Sequence, residues 1–133
     1  MLEVMEARIV WRIKANTQSW AYLREKIPFN LSLIYRSGLV DFLVRKFNTP
    51  RAIVLFGSFR QGQDLGGSDI DIAIQSNEVA ELTVLQLPEL KPLEAQIKRP
   101  IKIYLFNPRN IDLNLFNSIA NGIVLYGFLE VRP

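Results

Sequence analysis

Residues 53–74 read IVLFGSFRQGQDLGGSDIDIAI. An apolar run (Ile53, Val54, Leu55, Phe56) stops at Gly57-Ser58; ten residues rich in glycine and polar side chains follow, and Asp69-Ile70-Asp71 then opens a second apolar run. The pattern is strand, tight turn, loop, strand. Side chains two apart on a strand share a face, so Asp69 and Asp71 project together while Ile70, Ile72 and Ile74 point to the opposite, core-facing side. Two carboxylates one pleat apart repel unless a cation lies between them. Hard oxygen ligands of this kind suit Mg²⁺ bound together with substrate phosphates. The Gly57-Ser58 turn lets backbone N–H groups approach an anion closely, and the Ser58 hydroxyl adds a donor.

Composition narrows the chemistry. The chain has 133 residues with 49% apolar and 22% charged side chains, the profile of one globular domain rather than a disordered segment. Cysteine and histidine are both absent. Disulfides, thiolate nucleophiles, Cys/His zinc sites and histidine bases are thereby excluded. Catalysis would rest on carboxylates, hydroxyls, Lys, Arg and a bound metal, a set that suits phosphoryl transfer. The net charge is +3, and eight of the sixteen basic residues precede residue 50. A basic excess favours nucleotide or nucleic-acid phosphates; because these residues are interspersed with Glu and Asp, they read first as a solvated face, with nucleic acid as a secondary partner. No apolar run approaches the roughly 20 residues of a membrane helix. Glu3, Glu6, Arg8 and Arg12 interrupt any signal-peptide core. The expected location is cytoplasmic.

Working outward, residues 8–15 (RIVWRIKA) partly alternate and read as a half-exposed strand. A short helix is expected over 18–27, stopped before Pro28, then a longer one capped by Asn30 and reaching Phe47, with Gly38 marking a kink or break. Strands are expected at 51–56, 69–75 and 101–106 (IKIYLF), with a last short one at 124–126. Residues 78–98 read as helical material broken by Pro88 and Pro92. A helix starting at Asn110 or Asp112 should run to Ala120 and stop at Gly122. The expected fold is α/β (α+β): a small mixed sheet covered by helices.

Gly57-Ser58, ten residues, then Ser68-Asp69-Ile70-Asp71, with Gly62 in the loop, resembles the signature of the nucleotidyltransferase superfamily, in particular its minimal nucleotidyltransferases. Asn121-Gly122-Ile-Val-Leu-Tyr126-Gly127 resembles the way such domains end. The resemblance covers about residues 31–129 and implies the polymerase β-like fold, with a nucleotidyltransferase domain at 31–133. It implies Mg²⁺ on Asp69 and Asp71, the catalytic pair, and ATP as substrate. Gly57 and Ser58 would cradle its phosphates; Arg60 and Ser68 complete the nucleotide-binding set, with Ser68 chiefly orienting the loop.

The segment before residue 31 resembles the wing strand and connecting helices found ahead of this domain in archaeal-type relatives. Thirty residues are too few for a complete three-helix reader. Either they are a remnant of a winged helix-turn-helix in a fragment or shortened relative, or they pad the core or form a dimer contact.

Two departures accompany the match. The resemblance implies a third carboxylate on the neighbouring strand, expected to be 101–106; that strand offers Lys102 and Tyr104 on the relevant parity and no acid. Asp112, Glu89 and Glu94 are weak substitutes. Gln61 precedes Gly62 where many members carry a basic residue, leaving Arg60 to reach a phosphate. Two readings follow. In one, the domain transfers a nucleoside monophosphate from ATP to a hydroxyl, in the manner of antitoxin-like minimal nucleotidyltransferases that modify a HEPN-type partner protein. In the other, it is a catalytically silent binding or regulatory module in which Lys102 neutralises the acidic pair.

Overall fold

The computed structural model describes residues 19–64 and 67–132. Helix α1 (Trp20–Arg36) and helix α2 (Leu39–Lys46) lead into strand β1 (Ala52–Phe56) and the one-turn helix α3 (Gly57–Gln61). Strand β2 (Ile70–Gln75) is followed by the short strand β3 (Thr83–Leu85), a 3₁₀ turn (Pro88–Leu90) and helix α4 (Lys91–Ile97). Strand β4 (Ile101–Phe106), helix α5 (Leu113–Ala120) and strand β5 (Ile123–Gly127) complete the order.

The five strands form one sheet in the order β3-β4-β2-β1-β5. β1 runs antiparallel to β2 and β5, β3 antiparallel to β4, and β2 parallel to β4. A parallel pair needs a crossover, here supplied by the segment containing β3 and α4. The sheet is therefore mixed, as expected.

Strand periodicity sorts side chains into two cores. Ile53, Leu55, Ile70, Ile72, Ile74, Ile101 and Ile103 pack with Ile34, Leu39 and Leu43 of α1 and α2 on one face. Ala52, Val54, Phe56, Ala73 and Phe106 pack with Ile119 of α5 on the other. All five residues of β1 are buried because both faces of this inner strand are covered. Asp112 caps α5, its Oδ2 accepting from the Leu115 N–H at 3.1 Å. Among the described residues no single helix is long and apolar enough to cross a membrane.

Three expectations are corrected. The helix expected over 18–27 does not stop at Pro28, which lies inside the 17-residue α1. A proline there removes one helix hydrogen bond and costs about 3 kcal/mol. The stripe of Leu23, Ile27, Asn30 and Ile34 outweighs that cost. Leu23 and Ile27 press on Gly62, while Asn30 and Ile34 are fully buried. Asn30 is accordingly no cap but an interior helix residue. The expected break at Gly38 is present: its φ is +82°, and α1 and α2 meet there at 53°. The third correction is β3, which stands where only helix was expected; Pro92 opens α4 rather than breaking it. The strand expected over 8–15 lies outside the described residues.

Candidate active site

The acidic pair lies where β1 ends and where β2 and β4 begin. Phe56 pairs with Asp71 across β1 and β2, and Asp71 with Lys102 across β2 and β4. Ala73 pairs with Tyr104 in the same register, so Asp71, Lys102 and Tyr104 share one face of the sheet.

Gly57 follows β1 directly, with φ +82°. A Cβ built on it would fall 2.5 Å from Asp71 Oδ2. The turn backbone thus lies against the carboxylate, closer than any other residue type permits. Tyr104 approaches from the other side, its hydroxyl donating to Asp71 Oδ1 at 3.4 Å, and its ring meets Phe56 edge-on at 5.0 Å. Burial, reinforced by the neighbouring Asp69 charge, holds the Asp71 carboxyl above the usual carboxylate range, against the lowering influence of Tyr104 and Lys102. Burial and the same Asp71 charge raise the Tyr104 phenol.

Asp69 faces Lys102: Nζ lies 2.9 Å from Oδ2. Both side chains are substantially exposed, 40% for Lys102 and 35% for Asp69, so the pair is solvent-screened. The hydrogen bond to Asp69, with its charge second, raises the Lys102 ammonium's pKa, keeping it protonated.

The remaining sequence candidates make the following contacts. Gly57 and Ser58 open α3, with Gly57 packed against Asp71. The Ser68 carbonyl accepts from Arg99 Nη1 at 3.4 Å, tying the residue before Asp69 to the entry of β4. Arg60 Nε donates to the Asn121 carbonyl at 2.9 Å, at the C-terminal end of α5, where a cation is favoured. The weak substitutes for a third acid are all engaged away from the pair. Glu89 pairs with Lys46 at 2.6 Å, Glu94 accepts from the Ile101 N–H at 2.7 Å, and Asp112 caps α5.

A second polar cluster braces the loop and was not foreseen from the sequence. Asp64, 3% exposed, accepts from Asn30 Nδ2 at 2.8 Å and faces Arg99 at 2.8 Å and Lys26 at 3.4 Å. Asn30 Nδ2 also donates to the Phe59 carbonyl at 2.9 Å, and the Arg99 guanidinium lies over the Phe59 ring at 5.1 Å. One buried carboxylate thereby joins α1, α3 and the residue before Pro100. The only signal for it in the sequence was a lone Asp within the glycine-rich loop.

Among the described residues no group of three Asp, Glu, His or Cys side chains could hold a metal ion. Mg²⁺ commonly takes one or two carboxylates, with waters and substrate phosphates filling the rest of its octahedron. Asp69 and Asp71 fit one such ion arriving with a nucleotide, and β4 adds no further acid.

Asp71 on β2 with Asp69 just ahead of the strand, a glycine turn packed against Asp71 and a mixed sheet behind fit a nucleotidyltransferase domain of polymerase β-like fold. Residues 39–128 match the sequence model of the family described as Polymerase beta, Nucleotidyltransferase, and the chain belongs to that family. The match begins at the first residue of α2 and ends just after β5, so it spans every strand of the sheet. No curated protein is significantly similar to the chain.

Proposed function

We propose that this domain binds an ATP-type nucleoside triphosphate with Mg²⁺ and transfers its nucleoside monophosphate to a hydroxyl acceptor. The observation that carries this reading is the packing of Gly57 against Asp71 Oδ2. It sets the backbone of the turn against Asp71, one of the two carboxylates that would hold the ion. Asp69 and Asp71 would hold Mg²⁺, which supplies charge neutralisation at the phosphates. Ser58 and the turn backbone would orient phosphate oxygens, and the brace from Arg99 to Ser68 keeps Asp69 in place. The acceptor hydroxyl attacks the α-phosphorus and loses its proton to solvent, the bond from the α-phosphorus to the α,β-bridging oxygen breaks, and pyrophosphate leaves. A cytoplasmic location, where nucleoside triphosphates and Mg²⁺ are abundant, accords with this chemistry.

The exposure of Asp69 and Lys102 leaves the site open to solvent, which suits an acceptor hydroxyl carried by a partner protein. The resemblance to antitoxin-like minimal nucleotidyltransferases makes a HEPN-type protein the acceptor to test first. Calorimetry of Mg-ATP binding to the wild type and to the Asp69→Asn/Asp71→Asn double variant tests the core of the proposal. Binding by the wild type, abolished in the double variant, is expected. Equal affinities, or no binding by either protein, would overturn it.

The ion pair between Lys102 and Asp69 favours a second reading, a silent module in which the ammonium takes the place of every metal. That reading predicts that no divalent ion binds, with or without nucleotide.

A further inference from the structure

We infer that Lys102 is a built-in cation occupying the position of a second divalent ion, so that this site works with a single metal delivered by the nucleotide. The inference rests on the proposed nucleotide-binding role and specifies its metal requirement. Phosphoryl-transfer sites that use two metals hold them about 3.5–4 Å apart, and the shared carboxylates must supply oxygens to both. Here Asp71 on β2 and Asp69 just before it contribute two carboxylates, and β4 contributes an ammonium in register with Asp71. Lys102 Nζ holds Asp69 Oδ2 at 2.9 Å. An ion bound at about 2.1 Å from that same oxygen would meet the ammonium at close range and be repelled. Tyr104 follows two residues along the same face of β4, and its hydroxyl donates to Asp71 Oδ1 rather than offering an anionic ligand. The β4 side of the acidic pair thus supplies positive charge and a hydrogen-bond donor, while the Gly57 side remains for one ion and the phosphates. The ammonium performs by covalent attachment the neutralisation of Asp69 that a second ion would otherwise provide.

The test counts ions on the full chain with Mn²⁺ as probe and an ATP analogue carrying a methylene between its α- and β-phosphates. Mn²⁺ binding is read by calorimetry and by electron paramagnetic resonance. One ion per chain is expected in the wild type. Lys102→Asp, which would place a third carboxylate in register with Asp71, is expected to bind two, with the line broadening of a coupled pair. Lys102→Met leaves the carboxylates unchanged and guards against misfolding of the acidic variant. It should bind Mn²⁺ without nucleotide about tenfold more tightly than the wild type, because one positive charge has left Asp69. Two ions in the wild type, or Mn²⁺ affinity unchanged in Lys102→Met, would overturn the inference while leaving the nucleotide-binding proposal standing. Nucleotide bound by the wild type with no ion would overturn it in favour of the silent module. Neither nucleotide nor ion bound would remove both.

Discussion

At Gly57 the backbone and the chemistry of the site meet. A side chain there must adopt φ +82° and place its Cβ 2.5 Å from Asp71 Oδ2. Left-handed backbone alone costs roughly 1–2 kcal/mol for a non-glycine residue, and the clash displaces the carboxylate as well. Gly57→Ala should therefore lower unfolding free energy by at least that amount in urea titrations and weaken Mg-ATP binding at least tenfold. Asp71 makes the opposite exchange. Its carboxyl titrates above the usual range because burial and Asp69 disfavour its charge. A raised acid stabilises the fold below its unfolded pKa, and that contribution is lost as pH rises through the folded value. At neutral pH the ionised Asp71 is thus a liability to the ligand-free fold. Asp71→Asn should raise the melting temperature at pH 7, with the advantage vanishing toward pH ~3, where the wild-type acid is itself neutral. Nucleotide binding should be lost in the same variant. A melting temperature that falls at pH 7 would contradict the assignment of burial as the dominant effect on Asp71.

Among the elements, α1 shows most clearly what sequence reading catches and what it misses. β1, β2, β4 and α5 were legible because apolar runs ended at Gly57-Ser58, Asn107-Pro108 and Asn121-Gly122, punctuation that acts locally. The parity argument also placed Lys102 and Tyr104 on the side of the acidic pair. α1 was misread because Pro28 is a local stop signal, and the contacts that override it come from Gly62, Phe59 and Asp64 far along the chain. Asn30 looked like a cap for the same reason: its partners lie 29 and 34 residues away. The bond from Arg60 to the Asn121 carbonyl, 61 residues distant, has no local signal either. β3 escaped notice because three residues of strand carry too little periodicity to stand out. The buried cluster that joins these elements gives a prediction at its own scale. Asp64→Ala would leave Arg99 and the Asn30 amide without their carboxylate partner. Removing one member of a buried charged network costs on the order of 3 kcal/mol, so chemical denaturation should show a loss of that size. Hydrogen exchange should show accompanying loss of protection in α1 and α3.

At the scale of the whole molecule, the family match covers the entire sheet, and the site stands at one end of it, with Asp69 and Lys102 substantially exposed. An acceptor hydroxyl carried by another protein can approach from that side. Incubation of the wild type with α-³²P-ATP, Mg²⁺ and lysate of the native host should label a partner protein, and the Asp69→Asn/Asp71→Asn variant should leave it unlabelled. Absence of label with the wild type would count against a protein acceptor. The sheet topology carries a further consequence, for the order in which the molecule assembles. β1 and β2 are neighbours in sequence and close a short loop, whereas β2 and β4 pair in parallel across the intervening β3 and α4. Closing the longer loop costs more chain entropy and yields its contacts later. The half of the site that joins Gly57 to Asp71 should therefore exist in the folding transition state before Lys102 arrives. Leu55→Ala in β1 should slow refolding in stopped-flow experiments. Ile103→Val in β4, costing about 1 kcal/mol, should instead appear as faster unfolding with the refolding rate nearly unchanged. On that order of events, the acidic pair of a newly made chain meets a solvent cation before it meets its own lysine.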